Sequence, residues 1–368
     1  MPEKIRLGLI GASVKGTWSA RSHLPALKAC NDIELTAVCT TRPDSAEAAR
    51  QAHGARLAFH DYHELVASSE IDAVAVVVRV PSHYAPTKAA LQAGKHVYCE
   101  WPLGRTTEEA IELAALGKTN GLTSAIGLQA RVNPPLMYLK DLVADAYVGE
   151  MKSVHISLAR DGVLSRPSHR TWQRDGDLGA NTLTIANGHT IDALRFAVCD
   201  FEHLSATVVT QVPQWLDTST NELLDVTSPD NILINGKLAN GAVVSSHVSA
   251  IPFAGSGYRM EIYGTEGTLV ASGEDSPQLS DITLEGAQKS NLLAPILVPD
   301  HYNIAASGTP HGEPYNVGQI YARFATAING GSNLQPDFDT AVELHHLIDA
   351  IKCSSKKRQQ VSLINQAA

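Results

Sequence analysis

Apolar positions in the first third of the chain fall in short runs separated by helical patterns. Ile5–Ile10, Leu35–Cys39, Ala73–Val78, His96–Cys99 and Ser124–Leu128 are rich in Val, Ile and Leu, are bounded by turn residues, and read as strands. Between them, Ser45–His53, His83–Ala93 and Thr107–Asn120 carry apolar residues at helical spacing. Repeated β–α–β units of this length predict a parallel sheet with helices on both faces, and near-continuous apolar strands fit burial on both sides.

After Gln129 the pattern changes. Pro134-Pro135 suits the first turn of a helix from Pro135 to Ala146, with Gly149 just beyond its end. Longer strand-like segments follow at Lys152–Arg160, His203–Gln211, Asn231–Leu238, Ala242–Ala250, Tyr258–Tyr263 and Gly267–Ala271. Asn240-Gly241 is a hairpin signal between two of these, and Gly264-Thr265-Glu266-Gly267 is another tight turn. The region is therefore expected to form an open, largely antiparallel sheet in an α+β domain. Residues 274–315, with many Pro, Ser and Gly, are expected to be irregular, and two closing helices fall near Val317–Asn329 and Asp339–Cys353.

Length and composition narrow the class. A chain of 368 residues suggests two domains, and 44% apolar with 18% charged residues is ample for buried cores. The balance of 29 Lys+Arg against 38 Asp+Glu gives −9, which argues against direct binding to nucleic acid or an anionic membrane. The longest clean aliphatic run, Ala73 to Val78, is far short of the ~20 residues a membrane helix needs. Met1-Pro2-Glu3-Lys4-Ile5-Arg6 passes straight into a strand pattern, so no signal peptide is expected. Cys30, Cys39, Cys99, Cys199 and Cys353 are odd in number and never spaced as Cys-x-x-Cys. Reduced thiols in a cytoplasmic protein are expected, without a zinc site or other metal.

Between the first strand and the first helix stands Gly11-Ala12-Ser13-Val14-Lys15-Gly16. A dinucleotide fold needs a small residue at the turn, another where backbone approaches the pyrophosphate, and a glycine where helix packs on strand. Gly11 and Gly16 fill the first and third places and Ser13 replaces the second glycine. A plain β–α turn is the alternative, but the place on the first strand of a β–α–β series favours nucleotide binding. The acid expected ~20–30 residues later would hold the ribose 2′-hydroxyl. The second strand instead ends in Cys39-Thr40-Thr41-Arg42-Pro43. Thr40, Thr41 and Arg42 could bind a 2′-phosphate, or Arg42 is simply a solvated arginine. The expected cofactor is NADP or NAD, with NADP favoured. Residues 1–128 are expected to be the NAD(P)-binding Rossmann domain and 129–368 the substrate and oligomerisation domain, with the last helices free to pack back on the first.

Several motifs together resemble one family, the Gfo/Idh/MocA group of glucose–fructose oxidoreductase and inositol dehydrogenase relatives. They are His23-Leu24-Pro25-Ala26-Leu27, Gly94-Lys95-His96-Val97-Tyr98-Cys99-Glu100, Tyr147-Val148-Gly149-Glu150-Met151 and Gly188-His189-Thr190-Ile191-Asp192. Val78-Arg79-Val80-Pro81-Ser82-His83-Tyr84, Glu100-Trp101 and Leu128-Gln129-Ala130-Arg131 resemble the branch of the yeast galactose-pathway repressor and its bacterial and fungal relatives. The resemblance implies an N-terminal Rossmann domain, a C-terminal domain whose open sheet forms dimer interfaces, and a substrate over the nicotinamide. It also implies that Val80, Pro81, His83, Glu100 and Trp101 contribute to the cofactor site.

The departures are as informative. Where the family carries Glu-Lys-Pro, this chain has Glu100-Trp101-Pro102, and where an aspartate stands four residues before the histidine it has Ile185. Neither Trp nor Ile can relay a proton near neutral pH. His189, with an unperturbed pKa of ~6.5 for its type, is the expected acid or base. The alternative, a helix-start histidine capped by Asn187 and packed beneath the sheet, is outweighed by the motif in which His189 stands. Trp101 reads as a stacking wall for a ring-shaped ligand or as a core aromatic. Gln129 and Arg131 lie where a parallel sheet places ligands, though Arg131 could form a structural interdomain ion pair. Trp18 reads as a ligand contact or as helix packing. Trp172 is a further substrate-binding candidate, and Lys152, Asp161, His169, Tyr302 and His311 could each replace the missing lysine.

Two functions follow. The first is an oxidoreductase moving hydride between NAD(P) and a small polyhydroxylated or cyclic substrate, at C–O or at C=N or C=C. The second is a non-catalytic sensor of nucleotide or sugar acting through a protein partner, since no helix-turn-helix or basic patch is visible.

Overall fold

Every residue of β1 (Ile5–Ile10) except Arg6 is buried, as a central parallel strand requires. The computed structural model describes residues 4–14, 17–289, 291–331 and 334–363. With β2 (Ile33–Cys39), β3 (Leu57–Phe59), β4 (Ala73–Val76), β5 (His96–Glu100) and β6 (Ser124–Gly127), β1 forms a six-stranded sheet in the order β3-β2-β1-β4-β5-β6, parallel throughout. The order reverses between β1 and β4, the kind of point at which such sheets bind ligands beyond their carboxyl ends.

The helices between these strands are α1 (Leu24–Ala29), α2 (Pro43–His53), α3 (Tyr62–Ala67), α4 (Tyr84–Gln92) and α5 (Thr107–Thr119). β3 and α3 were not anticipated, because three and six residues are too few for periodicity to show. The Asp61 side chain caps α3 by accepting from His63 N at 2.8 Å, and α3 packs on β1, where a Cβ on Gly8 would lie 2.7 Å from Leu65 Cδ2. At the amino ends of the strands, Arg6 grips Asp72 through Nε and Nη2 at 2.9 and 2.6 Å. The Arg6 guanidinium holds the Asp72 carboxyl below the usual aspartate range.

The later part of the chain begins with α6 (Pro134–Ala144). Nine strands then build a second sheet from β7 (Met151–Arg160), β9 (Phe201–Val209), β12 (Asn231–Leu238), β13 (Val243–Ala250), β14 (Gly257–Gly264), β15 (Gly267–Gly273), β16 (Thr283–Gln288), β17 (Ala294–Pro295) and β18 (Val361–Ser362). Only β7 and β13 pair in parallel; the other pairs are antiparallel. The β12–β13 hairpin turns at Gly241, whose φ of +92° suits the left-handed position of a three-residue loop. Three further strands, β8 (Ser165–Arg166), β10 (Gln214–Asp217) and β11 (Leu223–Asp225), form a small separate sheet.

The expectation that 274–315 would be irregular is corrected by β16 and β17. Leu284 and Gly286 of β16 are buried in alternation, a pattern the glycine conceals. Along β7, Val154, Ile156 and Leu158 are buried while His155 is exposed, so one face is core. Against that face pack α6 and α7 (Asn187–Ala197). The opposite face exposes Leu233, Val243, His155 and His247.

Two helices close the chain, α8 (Glu313–Ile328) and α9 (Phe338–Lys357). Contacts divide the chain into one unit of Met1–Gln129 with Asn303–His345 and another of Ala130–Tyr302 with His346–Ala368. The first thus includes α8, which packs on α1. In the second, Ser354 and Ser355 accept from the N–H groups of Ala206 and Val208 on β9, at 3.0 and 2.8 Å. No helix among the described residues is long and apolar enough to cross a membrane.

Candidate functional site

The turn after β1 can be built only with glycine at position 11. Gly11 has φ +98°, and a Cβ there would lie 2.1 Å from the Val77 carbonyl oxygen. Its N–H and that of Ala12 donate to Cys39 O at 2.9 and 3.3 Å, and Ser13 N turns back to Gly11 O at 2.8 Å. Ser19 Oγ donates to the same carbonyl at 2.7 Å. Ala12 is fully buried, so small side chains at this strand end leave backbone close to any bound group, as a dinucleotide requires. Lys15 and Gly16 lie outside the described residues, and the expectation for Gly16 with them. The Trp18 indole Nε1–H, in the segment that follows the glycine turn, is buried and meets no acceptor among the described residues, an orphaned donor.

At the end of β2, Thr40 Oγ1 shares a hydrogen bond with Ser45 Oγ at 2.7 Å, and Thr41 is exposed. Arg42 is held by Asp44, Nε to Oδ1 at 3.1 Å. That carboxylate, two residues on, was not weighed with Thr40, Thr41 and Arg42. A 2′-phosphate would have to compete with it for the guanidinium.

The turns after β4 and β5 are braced from within. His83 is buried, its Nδ1 2.6 Å from Pro102 O and its Nε2 3.1 Å from Val78 O. Burial pushes its pKa down, and the carbonyls of Pro102 and Val78 work against that shift. His83 therefore ties two turns together, a different role from the ligand contact the resemblance implied. Val80 is buried beside it and Pro81 is exposed.

Glu100, at the end of β5, accepts from His23 Nε2 at 2.7 Å and from Gln129 Nε2 at 3.0 Å on both oxygens. His23 Nδ1 in turn takes the Tyr321 hydroxyl at 2.8 Å. A Cβ on Gly127 would sit 2.5 Å from Glu100 Oε2, so that glycine makes room for the carboxylate. Gln129 is thus a partner of Glu100, where substrate binding had been expected. Trp101 is 4% exposed and packs at 4.8 Å against the His345 ring. The core-aromatic reading describes it; an exposed stacking wall does not.

His189 lies in the first turn of α7, 5% exposed. The expected cap at Asn187 is corrected: Asn187 is inside the helix and donates to Leu183 O at 3.2 Å. A preceding π turn, Thr182–Ala186, is capped by Asn181, which accepts from Leu183 N and Thr184 N while Thr184 Oγ1 accepts from Asn181 N. Ile185 lies half-buried in that turn. One turn beyond His189, the wholly buried Asp192 takes two hydrogen bonds from Arg131, at 2.8 and 2.7 Å. Arg131 thus anchors the helix that carries His189; it does form an ion pair, but within one unit, which corrects the interdomain pair offered as its alternative.

Trp172 is half-buried in the 3-10 segment Ser168–Arg174, with His169 exposed beside it. Lys152 pairs with Glu150, Tyr302 with Asp141, and His311 stacks on Tyr315 at 5.5 Å, while Asp161 is exposed. No cluster of metal-binding side chains occurs among the described residues. His23 and Tyr321 were missed as site-shaping residues, although His23 stood in a motif already singled out.

Comparison with known proteins bears on this arrangement. Residues 5–128 match the oxidoreductase family with the NAD-binding Rossmann fold, and residues 134–273 match the Gal80p C-terminal domain. The dehydrogenase aclE of Aspergillus oryzae is 29% identical over 287 residues, which is 74% of this chain and 78% of that one. Levoglucosan dehydrogenase of Pseudarthrobacter phenanthrenivorans is 24% identical, over 89% of this chain and 88% of that one. A structure of a levoglucosan dehydrogenase with NADH and levoglucosan superposes with a TM-score of 0.84 at 22% identity, covering 99% of this chain and 100% of that one. A super-repressor mutant of Gal80p from Saccharomyces cerevisiae superposes with a TM-score of 0.87 at 21% identity, covering 99% of each chain. Residues 5–128 thus carry the NAD-binding Rossmann domain of the Gfo/Idh/MocA oxidoreductase family, and residues 134–273 carry a domain matching the Gal80p C-terminal domain, in that order along the chain.

Proposed function

We propose that the protein is an NAD(P)-dependent oxidoreductase moving hydride to or from a small polyhydroxylated or cyclic substrate, at C–O or at C=N or C=C. The observation that carries this reading is the turn after β1, where Gly11 at φ +98° and the buried Ala12 stand at the reversal point of the sheet. The cofactor supplies the hydride chemistry when bound. Gly11, Ala12, Ser13 and the Trp18 N–H are proposed to hold its pyrophosphate, and Thr40, Thr41 and Arg42 its adenosine ribose, with NADP favoured. His189 gives or takes the substrate proton, held in place by Arg131 through Asp192, and Trp172 faces the substrate. A C=N or C=C acceptor suits a chain with Trp101 and Ile185 in the lysine and aspartate places, because it needs less help at a reacting oxygen. A homo-oligomer through the open sheet face completes the proposal.

A second reading, a sensor that acts through a protein partner, is favoured by one observation. The residue in the lysine place, Trp101, is buried against His345. Single-turnover oxidation of bound NADPH and NADH against keto-sugars, cyclic ketones and imines separates the two. Turnover is expected, with NADPH bound at least as tightly as NADH and Arg42→Ala weakening NADPH alone. A positioned acid or base contributes ~10²–10⁴ in rate, so His189→Ala should lose about that factor at unchanged nucleotide affinity. Absence of turnover, together with sugar- or NADP-dependent association with another protein, would replace the enzyme reading by the sensor.

A further inference from the structure

The small three-stranded sheet carries a guanidinium for which no salt-bridge partner is seen among the described residues. Arg166, on β8, is half-buried and lies over the indole of Trp215 on β10, 4.8 Å from the ring centre. Its Nη1 donates to the Ser165 carbonyl at 2.9 Å, whereas Nε is buried and meets no acceptor among the described residues. The acid placed to neutralise it is Asp217, its register partner across the strands. That carboxylate is turned instead to Ser168 Oγ, at 2.6 and 2.8 Å, and to Ser219 N at 2.8 Å. Arg160, nearby, is itself taken up by Asp275. Burial first, then the charges of Arg170 and Arg160, push the Arg166 pKa down to about 10, and Asp161 offsets this only in part.

A desolvated cation without a counter-charge is costly, and such groups are kept where a ligand completes them. The edge formed by Nε and Nη2 is the one that meets a carboxylate or phosphate with two parallel hydrogen bonds. Stacking on an indole fixes the plane of that fork. The Trp215 Nε1–H is also buried without an acceptor among the described residues, a second donor on the ring beneath.

We propose that Arg166 and Trp215 form a binding site for a small oxyanion, a carboxylate or a phosphate carried on a ligand. Assigning the anion to the substrate, as an acidic sugar or polyol, rests on the hydride-transfer reading; the anion site itself does not.

The test needs no turnover. The full chain is titrated with sodium acetate and, separately, with inorganic phosphate, at an ionic strength held constant with chloride. Indole fluorescence and the arginine Nε–Hε resonances of ¹⁵N-labelled protein are followed. One anion should shift a single arginine resonance and change the fluorescence saturably, and which anion does so identifies the group. Arg166→Met should abolish both responses, and Arg166→Lys, which keeps the charge but loses the fork, should weaken them at least about tenfold. Removing a charge kept for binding should leave Arg166→Met melting at or above the wild type, and only the wild type should gain melting temperature with the anion. No saturable response to either anion, or an equal response in Arg166→Met, overturns the proposal. A marked loss of stability in Arg166→Met, with no anion effect on the wild type, assigns Arg166 to structure alone.

Discussion

Replacing Arg131 by alanine probes how α7 is held. The Asp192 carboxylate is wholly buried and accepts two short charged bonds from Arg131, at 2.8 and 2.7 Å. Arg195 stands 4.0 Å from it and is directed at Asp200. Breaking a buried pair costs ~3–5 kcal/mol because it leaves an uncompensated charge, and the remaining Arg195 places the loss near the lower end, about 3 kcal/mol. For a unit of this size that is a fall of roughly 6–12 °C in melting temperature. Urea unfolding at pH 7 measures it directly, with nucleotide affinity expected to hold. Arg131→Met combined with Asp192→Leu should regain most of the loss, since apolar replacement removes both desolvation terms. A loss below about 1 kcal/mol in Arg131→Ala would mean the pair behaves as an exposed one, and the anchoring argument would fail.

Gly11→Ala should abolish nucleotide binding and lower stability, since backbone at Val77 cannot yield and the left-handed conformation alone costs ~1–3 kcal/mol; wild-type NADPH titration in this variant would refute the geometry. Asp72 has a folded pKa depressed by Arg6, so its contribution is present above the unfolded value of ~3.9 and lost as pH falls through the folded one. The urea midpoint of Arg6→Met should therefore lie below wild type by a constant amount from pH 5 to 8, and the gap should close in acid. The exposed Val243 and Leu233 on the open sheet face should lie in a homodimer interface, so light scattering should give about twice 39.3 kDa, and Val243→Asp should shift the protein towards monomer. A 39.3 kDa species in the wild type at micromolar concentration would count against that assembly.

Features set by nearest neighbours along the chain could be read from the sequence. Apolar runs of strand length gave β1, β4, β5 and β6 to within a residue or two, because burial on both faces leaves few polar positions. Gly11 and Gly241 were identifiable because a turn demanding positive φ selects for glycine wherever the chain folds. The family motifs belong to the same level, each a short stretch meeting a local need. β3, α3 and β16 escaped because they are short or interrupted by glycine, and their stability comes from the neighbours they pack against.

Which side chains meet was decided only in three dimensions. His23 reaches Glu100 across 77 residues and Tyr321 across 298, and Arg131 reaches Asp192 across 61. An arginine or glutamate has the same valence whichever partner it finds, so nothing in the chain order says whether Arg131 serves a ligand or an aspartate. Trp101 could equally line a site or fill a core until His345 was seen against it. Arg166 is the converse case, facing Asp217 in register yet not paired with it, because Ser168 and Ser219 claim that carboxylate. Local pattern is a property of sequence spacing, whereas the satisfaction of a buried charge depends on every group within a few ångströms, and only the tertiary fold determines those.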